Sequence, residues 1–358
     1  MRVALLFPNN LFTSPYLKYY ESVLKKGNID YDLYIWDRHG VNEKGCIAYT
    51  NKVKTSIPLF KSLDFIKFRR FLMNHLRKTE YNRIIVFSGQ LGILMSDFLI
   101  NNFPNKYILD IRDYSQVMSY FKSRFEKVIQ NSYFVCVSSN GFKEWLPQNA
   151  NYILGHNIDI ALVSKSLDNF PFRDANLENE TLKIDTIGQI KDFNSDARFI
   201  DQLKNDKRFK MEFIGFGPAL NDLKIKSTSE KINNISFYGL YKKEEEPLLL
   251  KNTDIINILI SRTEHNKGAT LLSNRLYLSA LYNIPCIVNS DTEQSRIIEK
   301  YNFGIIVDNY EELPNKLVAY KENFCKESFL NNCYTFLADV KKDYSLFEQK
   351  LTNFLIDK

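Results

Sequence analysis

Short runs of β-branched and aromatic residues alternate with stretches of helical spacing along most of the chain, and few architectures accommodate that alternation. In the first half, Val3 to Phe7, Tyr31 to Trp36, Arg83 to Ser88, Tyr107 to Ile111 and Tyr133 to Ser138 read as strands. Between them Ser14 to Lys26, Leu63 to Lys78, Leu91 to Asn102, Ser115 to Gln130 and Ser139 to Leu146 carry helical periodicity. A second series begins after Asn157, with strands near Lys183 to Ile187, Lys210 to Ile214, Ile235 to Tyr238, Ile255 to Ile260, Cys286 to Asn289 and Ile305 to Asp308. Its helices fall near Ala197 to Leu203, Pro218 to Lys224, Lys243 to Leu250, Ala269 to Tyr282, Glu293 to Lys300 and Leu313 to Tyr320. Strand-helix alternation calls for mostly parallel sheets covered by helices on both faces. A chain of 358 residues exceeds one hydrophobic core. The sequence therefore predicts two doubly wound α/β domains, at 1–157 and 158–335, with a helical tail at 336–358. Ser164 to Glu180, polar and weakly patterned, reads as a linker.

Five scattered cysteines, with no Cys-x-x-Cys spacing, exclude a disulfide framework and a zinc site of the usual pattern. The apolar run at the N-terminus stops at Pro8, too early for a signal peptide, and no stretch reaches the roughly 18 apolar residues of a membrane span. A cytoplasmic protein is expected, peripheral on the inner face of the membrane if the membrane is involved. Charge is uneven: residues 1–158 hold 21 Lys and Arg against 12 Asp and Glu, and the remainder holds 27 against 30. The first half should face something anionic.

In open α/β sheets, ligands sit beyond the carboxyl ends of the strands. In the second series those ends are glycine turns: Gly188 with Gln189 and nearby Lys191, then Gly215 and Gly217, then Gly239 with Tyr241. They are either plain turns or places where a nucleotide approaches bare backbone. The loop Ser261 to Thr270 opens the next helix. Its Arg262, Asn266, Lys267, Gly268, Ala269 and Thr270, with Asn274 and Arg275 on that helix, form a diphosphate cradle or else an exposed polar loop with Arg275 on a solvated face.

The run from Asn233 to Val288, strand, Gly-turn, helix, strand, loop, helix and strand, resembles the second half of the nucleotide-sugar domain of GT-B glycosyltransferases. It is most similar to the bacterial family-4-like enzymes of capsule and O-antigen synthesis. The resemblance implies two Rossmann-like domains facing each other across a cleft, with a C-terminal helix crossing back to the first. It also implies a retaining transfer, most simply from a UDP-linked sugar to a polyprenyl-diphosphate-linked saccharide, with no metal or other cofactor and no nucleic-acid partner. Two departures stand out. The family's paired glutamates, the second of which bonds the donor ribose, fall on Thr270 and Leu278, counted back from Pro285. The arginine after the first turn glycine is replaced by Gln189.

Polar groups at the first domain's strand ends are expected on the acceptor side: Asn9 and Asn10, Arg38, Ser88 and Gln90, and Arg112. A base for an inverting transfer would come from Asp113 or Asp110, with His39 next. Asp113 equally suits a local ion pair with Arg112 or a helix N-cap. His156 and Asn157, in the phrase His-Asn-Ile-Asp, resemble the crossing between domains and are placed at the cleft. The single Asp-x-Asp, Asp30 to Asp32, opens an early strand and the four histidines are isolated, so no metal site is expected.

From Lys52 to Lys78 eight cations face one acid, with Lys67 and Arg70 on one helical face and Phe65, Phe68 and Leu72 on another. The helix is either packed with a solvated basic side or lies near anionic lipid. The function expected is glycosyl transfer in surface-polysaccharide synthesis. The alternatives are a non-catalytic GT-B partner subunit, suggested by the missing glutamates, and a GT-B-fold sugar-nucleotide epimerase.

Overall fold

The structure, a computed structural model, describes residues 1–14, 16–51, 58–171, 173–175, 177–263 and 267–357. The chain divides into two compact units, one made of Met1–Asp159 with Lys342–Lys358, the other of Ile160–Lys341.

The first unit carries seven parallel strands: β1 (Arg2–Phe7), β2 (Asp30–Asp37), β3 (Ile47–Thr50), β4 (Arg83–Phe87), β5 (Tyr107–Ile111), β6 (Phe134–Val137) and β7 (Tyr152–Leu154), in the order β3-β2-β1-β4-β5-β6-β7. β4, β5 and β6 are buried throughout, as their largely apolar sequences require when helices cover both faces, and the charged exceptions, Arg83 and Asp110, are buried with partners. The edge strands β3 and β7, absent from the sequence reading, are short and only partly buried. Trp36 shows how a helix is fastened on: its ring meets Phe65 edge-on at 5.1 Å and tilts against Phe68 at 5.4 Å. Phe68 and Leu72 of that helix are buried while Lys67 and Arg70 are exposed, as the periodicity demands; Lys52 to Ile57 of the basic segment lie outside the described residues.

The second unit repeats the plan with β8 (Leu182–Gln189), β9 (Phe209–Phe216), β10 (Ile235–Gly239), β11 (Ile255–Asn257), β12 (Cys286–Asn289) and β13 (Gly304–Val307), all parallel, in the order β10-β9-β8-β11-β12-β13. Its core packs Phe199, Ile200 and Leu203 of one helix against Phe209, Met211 and Phe213 of β9. Three differences from the sequence reading have local causes. Part of the supposed linker is a helix, Ile160–Asp168. Lys243 to Leu250 breaks into short turns around Pro247. The helix expected from Ala269 to Tyr282 is a three-residue turn, Gly268–Thr270, followed by a separate helix, Asn274–Leu281, whose N-cap is Ser273.

The tail is one 31-residue helix, Lys326–Ile356. Its last turns belong to the first unit, where Phe347 meets Tyr20 edge-on at 5.2 Å and the Phe354 carbonyl accepts from Arg83 Nε at 2.8 Å. Among the described residues no helix is long and apolar enough to cross a membrane.

Candidate functional site

In the second unit the strand order reverses direction at β8, between β9 and β11, and the turns at this carboxyl edge are made of backbone. Gly188, Gly215, Gly217 and Gly239 hold φ angles of 100°, 142°, 157° and 96°. A Cβ on Gly215 would lie 1.9 Å from the Gly188 carbonyl oxygen, and one on Gly217 would lie 2.0 Å from that of Ile190. Gly188 and Gly239 open onto empty space, so there the glycine serves conformation and leaves the backbone bare. A cavity of about 490 Å³ lies at the Gly217 turn, lined by Gln189, Phe216, Gly217, Pro218, Asn221 and Lys224 among others.

Asp192 ties this edge together. Its carboxylate caps the Phe193–Leu203 helix by accepting from Ser195 N at 3.1 Å, and it accepts from Ser261 N at 2.5 Å and Ser261 Oγ at 2.6 Å. An acid therefore occupies the helix N-terminus after the first glycine turn. One helical turn on, Asp196 is 3% exposed; burial pushes its carboxyl up to about 7, eased by Arg275 and reinforced by Asp192.

The expected cradle needs correction. Arg275 neither sits on a solvated face nor reaches outward: its Nε donates to the Ile187 carbonyl at 2.5 Å and its Nη2 to the Gln189 carbonyl at 2.9 Å, bracing the Gly188 turn. Burial lowers its pKa, opposed by Asp196, Tyr241 and Asp192. The Gly268–Thr270 segment has only three residues, too few for a helix dipole, and Thr270 Oγ1 is turned back to the Lys267 carbonyl at 2.8 Å. Lys267 holds a left-handed conformation with φ of 50°, and Ala269 follows half-buried. Arg262 donates to the Ser290 carbonyl at 2.9 Å. Lys191 and Asn274 are exposed. Asn266 lies outside the described residues. Tyr241 donates to Glu246 Oε1 at 3.1 Å.

The first unit presents side chains at the corresponding edge. A cavity of about 420 Å³ brings together Asn9, Arg38, Ser88, Gln90, Arg112 and Asp113, residues drawn from the ends of β1, β2, β4 and β5. Ser88 is strained, with φ of 91° where β4 turns into the Gly89–Asn102 helix. Gln90 donates to Ser115 Oγ. The Arg38 guanidinium lies 4.2 Å from the Trp36 ring centre, and its Nε is buried with no hydrogen-bond partner.

Three expectations change here. Arg112 pairs with Asp110 rather than Asp113, through Nε to Oδ1 at 2.5 Å and Nη2 to Oδ2 at 2.7 Å; it also donates to the Gly155 carbonyl and lies 4.2 Å from the Tyr16 ring centre. Asp110 is fully buried and takes a further bond from Tyr20 OH at 2.6 Å, which makes it a holder of Arg112 rather than a base. Burial alone would lower the Arg112 pKa, but Asp110, Cys136 and Tyr20 raise it well above its ordinary value. Asn10 is also fully buried: Nδ2 donates to Asp37 at 2.8 Å and Glu43 at 3.1 Å, and Oδ1 accepts from Arg38 N at 2.9 Å. It clasps two strand ends together and is not among the residues that line the cavity. Asp37, unnoticed in the sequence, is the centre of this clasp. Burial raises its pKa, but Asn10 and the amides of Asn42, Val41 and Gly40 outweigh that and hold it at about 2. An Asp three residues before a Gly at a strand end was the available signal.

Asp113 remains exposed on the cavity rim. His39 is exposed, packs on Phe12 at 5.5 Å, and is not among the lining residues. His156 Nε2 lies 3.0 Å from Asp343 Oδ2, and Asn157 is half-buried three residues before the second unit begins. No group of three His, Cys, Asp or Glu side chains suited to a metal ion occurs among the described residues.

No protein-family model matches the sequence, and no curated protein matches it. Solved structures do resemble it over its whole length. Sucrose-phosphate synthase from Thermosynechococcus elongatus is 12% identical, with a TM-score of 0.68 over 98% of each chain. HepE from Anabaena, solved in complex with UDP, is 11% identical, with a TM-score of 0.66 over 99% of this chain and 100% of that one. WaaG, a glycosyltransferase involved in lipopolysaccharide biosynthesis, is 12% identical, with a TM-score of 0.62 over 100% of both. At such identities the likeness establishes the fold. The chain has the GT-B architecture of two Rossmann-like units.

Proposed function

We propose that this protein is a glycosyltransferase that moves a sugar from a nucleotide-sugar, UDP-linked, to a saccharide carried on a lipid diphosphate, in the synthesis of a bacterial surface polysaccharide. The observation that carries the reading is the glycine edge of the second unit, Gly188, Gly215, Gly217 and Gly239, with a cavity of about 490 Å³ lined by Gln189 and Gly217. Such an edge admits a flat base and ribose against main-chain groups, as ligands bind at the switch point of open α/β sheets. The architecture is shared over the whole chain with HepE in complex with UDP.

On this reading the second unit holds the donor, with Lys191, Arg262 and Lys267 as the cations that meet its diphosphate, and no metal or other cofactor takes part. The first unit's cavity holds the acceptor, with Asp113 and Gln90 orienting its hydroxyl and Arg38 and Arg112 supplying charge. A retaining transfer suits it, because such a transfer needs no strong carboxylate base and Asp113 stands on an open rim. The first domain's basic surface supports a cytoplasmic protein lying on the inner face of the membrane.

The test is nucleotide release by purified protein given UDP-, GDP- and CMP-sugars with lipid-diphosphate saccharide fractions. Acceptor-dependent release from one donor class is expected. Nucleotide binding without release under any combination would favour a non-catalytic partner subunit instead.

A further inference from the structure

The cavity of the first unit contains a cation that the described residues leave unanswered. Four charged side chains line it, Arg38, Asp110, Arg112 and Asp113. Arg112 is bound to Asp110, through two bonds to a fully buried carboxylate. Asp113 stands exposed on the rim, where water and salt screen it. Arg38 is half-buried, and among the described residues no carboxylate lies within ion-pair distance of its guanidinium and no acceptor takes up its donors; its Nε is buried without a partner. What holds the guanidinium in place is aromatic. It lies 4.2 Å from the Trp36 ring centre and 5.3 Å from that of Phe65. Burial lowers its pKa, opposed by Asp64, but the Asp64 carboxylate already accepts from Asn51 Nδ2 at 2.7 Å and lies 3.7 Å from Lys67 Nζ. Two rings fix the position of the charge and offer it no oxygen, so a ligand that brings an acceptor gains a preorganised partner.

The rest of the lining indicates what carries that acceptor. Tyr16, Phe87 and Tyr114 present aromatic surface to a space of about 420 Å³, within the range of small-molecule pockets and enough for a sugar ring. An aromatic wall with one uncommitted cation suits a ring that bears an anionic group. Charge decides among the anions. With Arg112 neutralised by Asp110, one guanidinium answers one negative charge, and a carboxylate, ionised at pH 7, brings one. A phosphate monoester brings roughly 1.5 to 2 and would leave an excess beside Asp110 and Asp113. The planar fork of Arg38 also matches a carboxylate, oxygen for nitrogen, in two parallel bonds.

We propose that the sugar accepting the transfer is a hexuronate whose carboxylate is bound by Arg38. The assignment rests on the reading of this cavity as the acceptor site and narrows that site to acidic saccharides.

The experiment titrates the purified full-length protein with methyl glycosides of glucuronate, galacturonate and mannuronate, with the matching neutral hexosides and with the hexoside 6-phosphates, affinities being read by ligand-observed NMR. At least one hexuronide should bind about tenfold more tightly than its neutral counterpart, the scale of a hydrogen bond to a charged group, and more tightly than the 6-phosphate. In Arg38→Gln that preference should fall to about twofold or less, whereas Arg38→Lys, which keeps the charge without the fork, should retain part of it. A loss in Arg38→Gln that is equal for hexuronide and neutral hexoside would mark Arg38 as mere packing on Trp36 and overturn the proposal, as would an unchanged preference or tighter binding of the 6-phosphates. Neutral hexosides that bind the wild-type protein as well as hexuronides do would defeat this assignment and leave the acceptor reading standing. If no saccharide binds, the acceptor reading of the cavity fails and takes this assignment with it.

Discussion

The two units share one strand order about their switch points, yet they finish their carboxyl edges in opposite ways. The first closes its edge with interlocked side chains: Asn10, Asp37 and Glu43 in one clasp, Asp110, Arg112 and Tyr20 in another. The second leaves its edge as glycine backbone at β8, β9 and β10. A backbone edge suits a group common to many donors, whereas a side-chain edge can be redrawn for each acceptor. The same topology thereby supports a general site and a particular one.

The largest effect should come from breaking the buried pair in the first unit. Arg112→Leu leaves Asp110 buried without its cation, expected to cost about 3–5 kcal/mol, and urea unfolding followed by a first-unit probe such as Trp36 fluorescence would show it. Arg112→Lys, with no fork to match the carboxylate, should recover only part of the loss. In the second unit the corresponding break is Gly217→Ala. Its Cβ would meet backbone, and its φ of 157° suits glycine. A loss of at least the roughly 1–3 kcal/mol of a strained residue is expected, together with loss of nucleotide binding. If Gly217→Ala unfolds as the wild type does, the backbone account of that edge is wrong.

Asn10→Ala should cost about 2 kcal/mol by leaving Asp37 and the Arg38 amide short of a partner. Because Asn10 belongs to the first unit, nucleotide affinity should be unchanged, which sharpens the division of labour between the units.

The second unit should also show a pH dependence. Asp196 titrates at about 7 in the fold, against about 3.9 unfolded. Between those values the folded chain binds more protons, so this group makes stability fall as pH rises from about 4 to about 7, with a constant penalty above. Asp196→Asn should gain stability over the wild type at pH 8 and lose that advantage near pH 4. Urea midpoints at the two values decide it, and an advantage that grew toward acid would reverse the sign of the account.

Much of the architecture could be read from the residues because strands buried on both faces must be mostly apolar, and β1, β4, β5 and β6 are, apart from Arg2, Arg83 and Asp110. β3 and β7 escaped notice since edge strands so short and partly wet carry little pattern. The glycine turns were legible as glycines, while their bare backbone needed the φ angles. A pair with Asp113 was only one of the alternatives open for Arg112, but at a strand end residues two apart share a face, and Asp110 is the one that does. Arg275 looked like a free cation because its partners are carbonyls 86 and 88 positions away, invisible to any spacing rule. No spacing in the sequence singles out Asp196 or Glu246, and only their burial distinguishes them.

The central claim is that the second unit's glycine edge is a working nucleotide site despite Thr270 and Leu278. Calorimetric titration of the intact protein with UDP, GDP and CMP tests it most directly. The account predicts micromolar binding of one nucleotide, UDP foremost, abolished in Gly217→Ala and retained in Asn10→Ala. Failure of all three to bind the wild-type protein would contradict it.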